Sequence, residues 1–199
     1  MDLSALKPRL AALTGAVCLM WVVSLAALYV DRGLLYDLAL HPRDVGGLVG
    51  ILGMPFVHGS LHHLLANTVP LLIMGGLLVA RGAAYFLRVS IAIALLGGAA
   101  LWLLGREAAH IGASGLVFGI FGFLIVRGIS ERSVRSALVA LVVFLTYGTM
   151  VFGVLPQGGH VSWEGHLFGL IAGAVVARGL FAIDQRRARE VPAGARSSE

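Results

Sequence analysis

Charge is scarce in this chain of 199 residues. Only 13% of the residues are Asp, Glu, Lys or Arg, against roughly one quarter in ordinary soluble domains, and 58% are hydrophobic. That balance excludes intrinsic disorder and an ordinary soluble domain. Cysteine is scarcer still. The single Cys18 lies inside an apolar run, so no intrachain disulfide can form and a secreted disulfide scaffold is excluded. No H-E-x-x-H occurs, and no carboxylate lies near His63, so the seven histidines have no zinc-binding spacing. No metal or cofactor is expected. The net charge of +5 has to be read by position in so apolar a chain.

What the sequence has in quantity is apolar length. Mean hydropathy is +0.91, and a spanning helix takes about 20 apolar residues. Charge-free stretches cover 10–30, 45–80, 89–105, 108–126, 136–163 and 165–177. Arg178 can snorkel, so the last stretch extends to 183. These runs predict six helices near 11–30, 61–80, 86–105, 113–128, 135–153 and 164–183. The stretch 45–58 is then an outer-loop segment. A cleavable signal peptide is a poor reading of residues 1–30, because Asp31-Arg32 follows with no A-x-A-like site. The expected organisation is a short cytoplasmic N-terminus (1–10), a helical membrane domain (11–183) and a basic, flexible cytoplasmic tail (184–199).

Six spans place both termini on one side with the loops around 81–88 and 127–135. That side carries twelve basic residues against five acids, and the other three against five. The basicity is therefore +7 on one face and −2 on the other, which sets the termini in the cytoplasm and argues for topology rather than a nucleic-acid partner. The histidines show a second asymmetry. His41, His58, His62, His63, His110, His160 and His166 all fall in outer loops or outer halves of spans. Titratable groups gathered at one depth predict a water-filled site open to the outer face.

Three short motifs lie at that depth. Ser114, in Gly112-Ala113-Ser114-Gly115, opens the fourth span. A Ser there reads as an N-cap. It also reads as a nucleophile, since unpaired N–H groups and the positive helix end would face an anion forming beside its oxygen. His166 opens the sixth span, followed by Gly169 and Gly173, a small-residue face matching Gly115 and Gly119 of span four. It reads as a structural hydrogen-bonding group, or as the base that a Ser hydroxyl needs. Glu164 lies about 200° round the helix from His166, so a dyad fits better than a triad. His63 and Asn67 share one face of span two. They read as interhelical glue or as oxyanion donors.

Taken together, His58-x4-His63-x3-Asn67, Gly112-Ala113-Ser114-Gly115 and His166-x2-Gly169-x3-Gly173, in that order on spans two, four and six, resemble the rhomboid family of intramembrane serine proteases. The resemblance covers roughly 50–183. It implies an all-α polytopic membrane protein, a six-helix bundle with an outward-open hydrophilic cavity. It also implies Ser114 as nucleophile, His166 as general base and later acid, and His63, Asn67 and the Ser114 N–H as oxyanion donors. His58, Gly112, Gly115, Phe118 and Gly169 would be supporting residues. Substrates would be single-span or polytopic membrane proteins, cut after small residues near helix-weakening ones, in what resembles a bacterial plasma membrane. Span five, with Gly148 and Gly153, resembles the family's mobile substrate-side helix.

Two departures stand out. Phe118 occupies a position that is often tyrosine, and residues 32–57 lack the Trp-Arg pair many members carry. Two rival classes remain at this stage, a small proton-coupled transporter or channel and a non-catalytic binder of membrane proteins.

Overall fold

The computed structural model describes residues 3–156 and 161–190. Among these, every regular element is helical, and the one β-type pairing is an isolated bridge between Leu40 and His110. The α-helices are α1 (Leu3–Tyr29), α2 (Gly33–Asp37), α3 (Gly50–Gly53), α4 (Leu61–Val79), α5 (Ala83–Leu104), α6 (Ser114–Ser130), α7 (Val134–Tyr147) and α8 (Trp163–Glu190). Helix starts follow local chemistry. Ser60 caps α4 by accepting from the His63 N–H at 3.1 Å, and Ser133 caps α7 by accepting from the Ser136 N–H at 3.1 Å. Gly82, at φ 124°, makes the tight turn from α4 into α5.

Five segments are long and apolar enough to cross a bilayer: Leu6–Tyr29, Leu61–Val79, Ala83–Leu104, Val134–Val154 and Trp163–Arg187. They make the chain an integral membrane protein. The fourth expected span departs from that length. It is α6, only 17 residues, or about 25 Å of helix against a hydrocarbon core of about 30 Å. Its far end carries Arg127 and Glu131, charged groups that belong near an interface. The shortfall therefore falls at the Ser114 end, which is left inside the bundle.

α6 is also the most enclosed helix. Ile120, Phe121, Phe123 and Leu124 are buried around it, packed among Leu64, Met74 and Leu78 of α4 and Phe86, Val89 and Ile93 of α5. Over 117–124 this helix is buried on all sides and needs no lipid-facing stripe, so its residues there can serve packing alone. Against α8 the backbones meet directly. A Cβ at Gly169 or Gly173 would overlap the carbonyl oxygens of Gly115 and Gly119. Lipid supplies no hydrophobic drive between helices, so close glycine contact of this kind is what holds such a pair.

The bounds of α6 match the expected 113–128 within two residues, and three other spans differ from the sequence expectation. The fifth span is not one α-helix: α7 ends at Tyr147 and continues as a 3-10 helix over Gly148–Val154. α1 begins at Leu3, before the expected residue 11. α8 continues past 183 to Glu190, so the first residues of the expected tail are helical, and Asp184 bonds the Arg127 guanidinium. Residues 191–199, and His160, lie outside the described residues.

The loop 32–57 is well anchored without a Trp-Arg pair of its own. The Arg43 N–H donates to the Trp102 carbonyl at 2.9 Å, Arg43 Nη1 donates to the Gly105 carbonyl at 2.7 Å, and Trp102 Nε1 donates to the Asp44 carbonyl at 2.7 Å. Leu40 and His110 exchange backbone bonds at 2.9 Å, and Gly112 donates to Met54 at 2.8 Å. The loop is thus stitched to the segment that leads into Ser114.

Candidate active site

Ser114 is the first residue of α6, and the N–H groups of that first turn have no partner within the helix. Three bonds hold the turn in place from outside. The Ala113 N–H donates to His58 Nε2 at 3.2 Å. A neutral imidazole that accepts at Nε2 carries its proton on Nδ1, so Nδ1 donates to Ser24 Oγ at 2.9 Å. Ser24 Oγ in turn donates to the Phe56 carbonyl at 2.9 Å. The chain of donors is complete only with His58 neutral. Burial agrees: His58 and Ser24 are fully enclosed, and enclosure, with a smaller contribution from nearby His63, lowers the His58 pKa to about 3.

The partner of Ser114 comes from α8. His166 Nδ1 donates to the Gly153 carbonyl at 2.9 Å, which leaves Nε2 as acceptor, and Ser114 Oγ donates to it at 2.9 Å. Phe118, one turn beyond Ser114 on α6, stacks on the imidazole at 4.2 Å between centroids and 5° between planes. Glu164 plays no part in this contact. Its carboxylate approaches Arg106 Nε at 3.6 Å, as its position round the helix from His166 requires.

His63 and Asn67 lie on α4 across from Ser114. The Asn67 side-chain amide donates one N–H to the His63 carbonyl at 3.0 Å, a bond that leaves the other N–H of that amide unspent. The His63 ring meets His58 edge-on at 4.9 Å and lies under Gly112. Gly112 sits at φ 104°, and a Cβ there would come within 2.7 Å of two ring atoms. Only glycine fits both constraints.

Ser114, His166, His63, Asn67, Phe118 and His62 all line one cavity of about 760 Å³ at the end of the bundle where α4 and α6 begin. Val69, Pro70, Tyr147 and Met150 supply apolar walls from α4, α7 and its 3-10 continuation. His58, Gly112, Gly115 and Gly169 stand behind this cavity and fix its backbone rather than line it.

Several contributors make bonds that the sequence pattern does not assign to them. The Gly153 carbonyl and Ser24 are two. A third pair is His110 and Ser162: His110 Nε2 donates to the Arg106 carbonyl at 3.1 Å, and Nδ1 accepts from Ser162 Oγ at 2.6 Å, tying the α5–α6 loop to the start of α8. Burial lowers the His110 pKa, in keeping with a neutral ring. Ser24, a hydroxyl within an otherwise apolar run, was the one visible signal. A backbone carbonyl leaves none.

Comparison with known proteins bears on the same region. The family model described as the rhomboid domain matches residues 45–183. An uncharacterized protein of Mycobacterium tuberculosis is 42% identical over 168 residues, covering 79% of this chain and 70% of the relative. A protein of Mycobacterium bovis matches to the same extent, and one of Mycobacterium leprae is 36% identical over 194 residues, covering 86% and 76%. Both are likewise called uncharacterized.

Proposed function

The chain belongs to the rhomboid family, and on that premise we propose that it is an intramembrane serine endopeptidase working with a Ser114–His166 dyad. The observation that carries the reading is the 2.9 Å contact of Ser114 Oγ with an imidazole whose other nitrogen is occupied by the Gly153 carbonyl. That arrangement presents an unprotonated Nε2 to the hydroxyl, which is what a general base must do.

In the reaction, Ser114 Oγ attacks the carbonyl carbon of a substrate peptide bond while its proton passes to His166 Nε2. The carbonyl oxygen becomes an oxyanion, met by the Ser114 N–H at the start of α6 and by side-chain donors of His63 and Asn67. One such donor is worth about 10²–10³ in rate in other acyl-transfer enzymes. The C–N bond then breaks as His166 Nε2–H protonates the leaving amine, giving an acyl-Ser114. Water, losing a proton to the same nitrogen, attacks the acyl carbon; the ester C–O bond then breaks, His166 Nε2–H protonates the departing Ser114 Oγ, and the carboxylic acid product leaves. During each imidazolium stage the Gly153 carbonyl accepts from Nδ1–H. Phe118 keeps the ring from turning away.

The substrates of this reading are single-span or polytopic membrane proteins, whose helices must unwind locally to expose a bond. α7 is the natural side of approach, because Ala140 and Val143 are its only buried residues and Leu138, Leu141, Val142 and Leu145 face outward. In this reading the termini are cytoplasmic and the cavity opens toward the outer face of a bacterial plasma membrane, an orientation that the charge asymmetry supports. Fluorophosphonate labelling of the detergent-solubilised protein tests the assignment. Wild type labels at Ser114, Ser114→Ala does not label, and His166→Ala labels at a small fraction of the rate. A folded wild-type protein that stays unlabelled refutes it.

A further inference from the structure

The end of the bundle opposite Ser114 holds a second cavity, of about 230 Å³, that the proposed chemistry does not use. Leu77, Phe123 and Val139 line part of it, and Arg81, Arg127 and Arg135 another part. Two carboxylates serve two of these three guanidinium groups. Arg81 makes a two-pronged contact with Glu131 at 2.5 Å for each bond. Glu131 also accepts from Arg127 Nε at 2.6 Å and from the Ser136 hydroxyl, and Asp184 accepts from Arg127 Nη2. Chiefly through the Arg81 bonds, the Glu131 carboxyl is held down to about 2, so it stays anionic and fully engaged.

The donors are nevertheless in surplus. The Arg127 side chain is only 9% exposed, yet its Nη1 is buried with no hydrogen-bond partner. A buried charged donor without an acceptor is costly, and an anion held nearby offsets its charge. Arg135, exposed at the start of α7, makes no ion pair among the described residues. The balance is one uncompensated positive charge beside an apolar wall, at the level where a bilayer presents its headgroups. That combination fits an anion attached to a hydrocarbon chain better than a free ion.

We propose that this cavity binds the phosphate of an anionic phospholipid headgroup, with Arg135 as the direct donor, Arg127 adding its buried positive charge from behind, and the first acyl carbons against Leu77, Phe123 and Val139. The site joins α6 and the start of α7, so an occupied headgroup would brace the least packed helix at the end remote from Ser114.

The test uses the whole protein in neutral detergent with short-chain phosphatidylglycerol, short-chain phosphatidylcholine or inorganic phosphate. Native mass spectrometry reads retained lipid and thermal unfolding reads stabilisation. Phosphatidylglycerol is expected to be retained and to raise the midpoint, with phosphatidylcholine retained far less. Arg135→Gln, which breaks no ion pair, is expected to weaken retention about fivefold, the weight of one basic residue beside an anionic headgroup. Arg135→Glu should abolish it. Equal retention of the two lipids, or phosphatidylglycerol retention unchanged in both variants, overturns the proposal. Inorganic phosphate alone giving the full stabilisation would assign the site to free phosphate and overturn the lipid.

Discussion

α6 and α7 are adjacent in sequence and opposite in character. α6 is walled in, with its backbone against α8 at Gly115 and Gly119. α7 buries Ala140 and Val143 alone among its 14 residues and then tightens into a 3-10 helix. Both reach the same imidazole. The tight pair α6–α8 sets the distance between Ser114 and His166, while the loosely packed segment after α7 supplies the Gly153 carbonyl that fixes the tautomer. Distance is therefore built into backbone packing, and protonation geometry hangs on a segment with much less holding it. An intramembrane protease of the kind proposed would gain from that division, because the loosely packed side does not carry the spacing.

The strongest way to break the comparison is to load the rigid pair. Gly169→Leu has no room against the Gly115 carbonyl, and such overpacking should cost about 3 kcal/mol or more. Loss of cooperative thermal unfolding and of probe labelling together would be the expected result. Gly76→Ala is the matched control: a Cβ there meets nothing within 4 Å, and helix propensity predicts a gain of up to about 1 kcal/mol. Equal tolerance of both substitutions would mean that the α6–α8 contact does not hold the bundle.

The loose segment should respond differently. A Cβ at Gly153 would lie 2.8 Å from Phe118 Cζ and 3.4 Å from His166 Nδ1. Gly153→Ala is expected to leave the unfolding midpoint nearly unchanged and to lower kcat about 10- to 100-fold, since small misplacements of a base are expensive in rate. A fall in stability with intact kcat would reverse the assignment of roles.

A smaller effect concerns acid. The His58 pKa lies near 3 in the folded protein against 6.5 ordinarily, so below pH 6.5 the unfolded chain binds a proton that the folded one refuses. Stability is full above 6.5 and declines as pH falls from there toward 3. His110, whose pKa burial also lowers, acts in the same direction. His58→Gln keeps a donor and an acceptor without titrating, so unfolding midpoints measured from pH 7.5 to 5 should slope less steeply in that variant. An unchanged slope would remove His58 from the acid response.

Much of the candidate site is legible in the sequence, for a physical reason. Ser, His and Asn are costly in an apolar helix, so Ser114, His166, His63 and Asn67 stood out against their background, and a GxxxG face predicts close approach whatever the partner. The all-helical bundle followed from the charge-free runs. What escaped was carried by backbone or by distance along the chain. The shortness of α6 did not escape, since the expected span 113–128 is already brief, and α6 runs over Ser114–Ser130. The break at Gly148 leaves hydropathy unchanged. The extension of α8 to Glu190 passes through arginines, whose long stems tolerate an interface. The bonds of Ser24 to His58 and of Arg43 to Trp102 link residues tens of positions apart, and spacing rules do not reach them.

The central claim is that Ser114 and His166 cut a peptide bond within the membrane, and the direct measurement is cleavage of a single-span substrate co-reconstituted in liposomes. Wild type should release two fragments joined before at one bond in or beside the transmembrane segment, with no product from Ser114→Ala or His166→Ala. Fragments of the same size from Ser114→Ala would contradict the account.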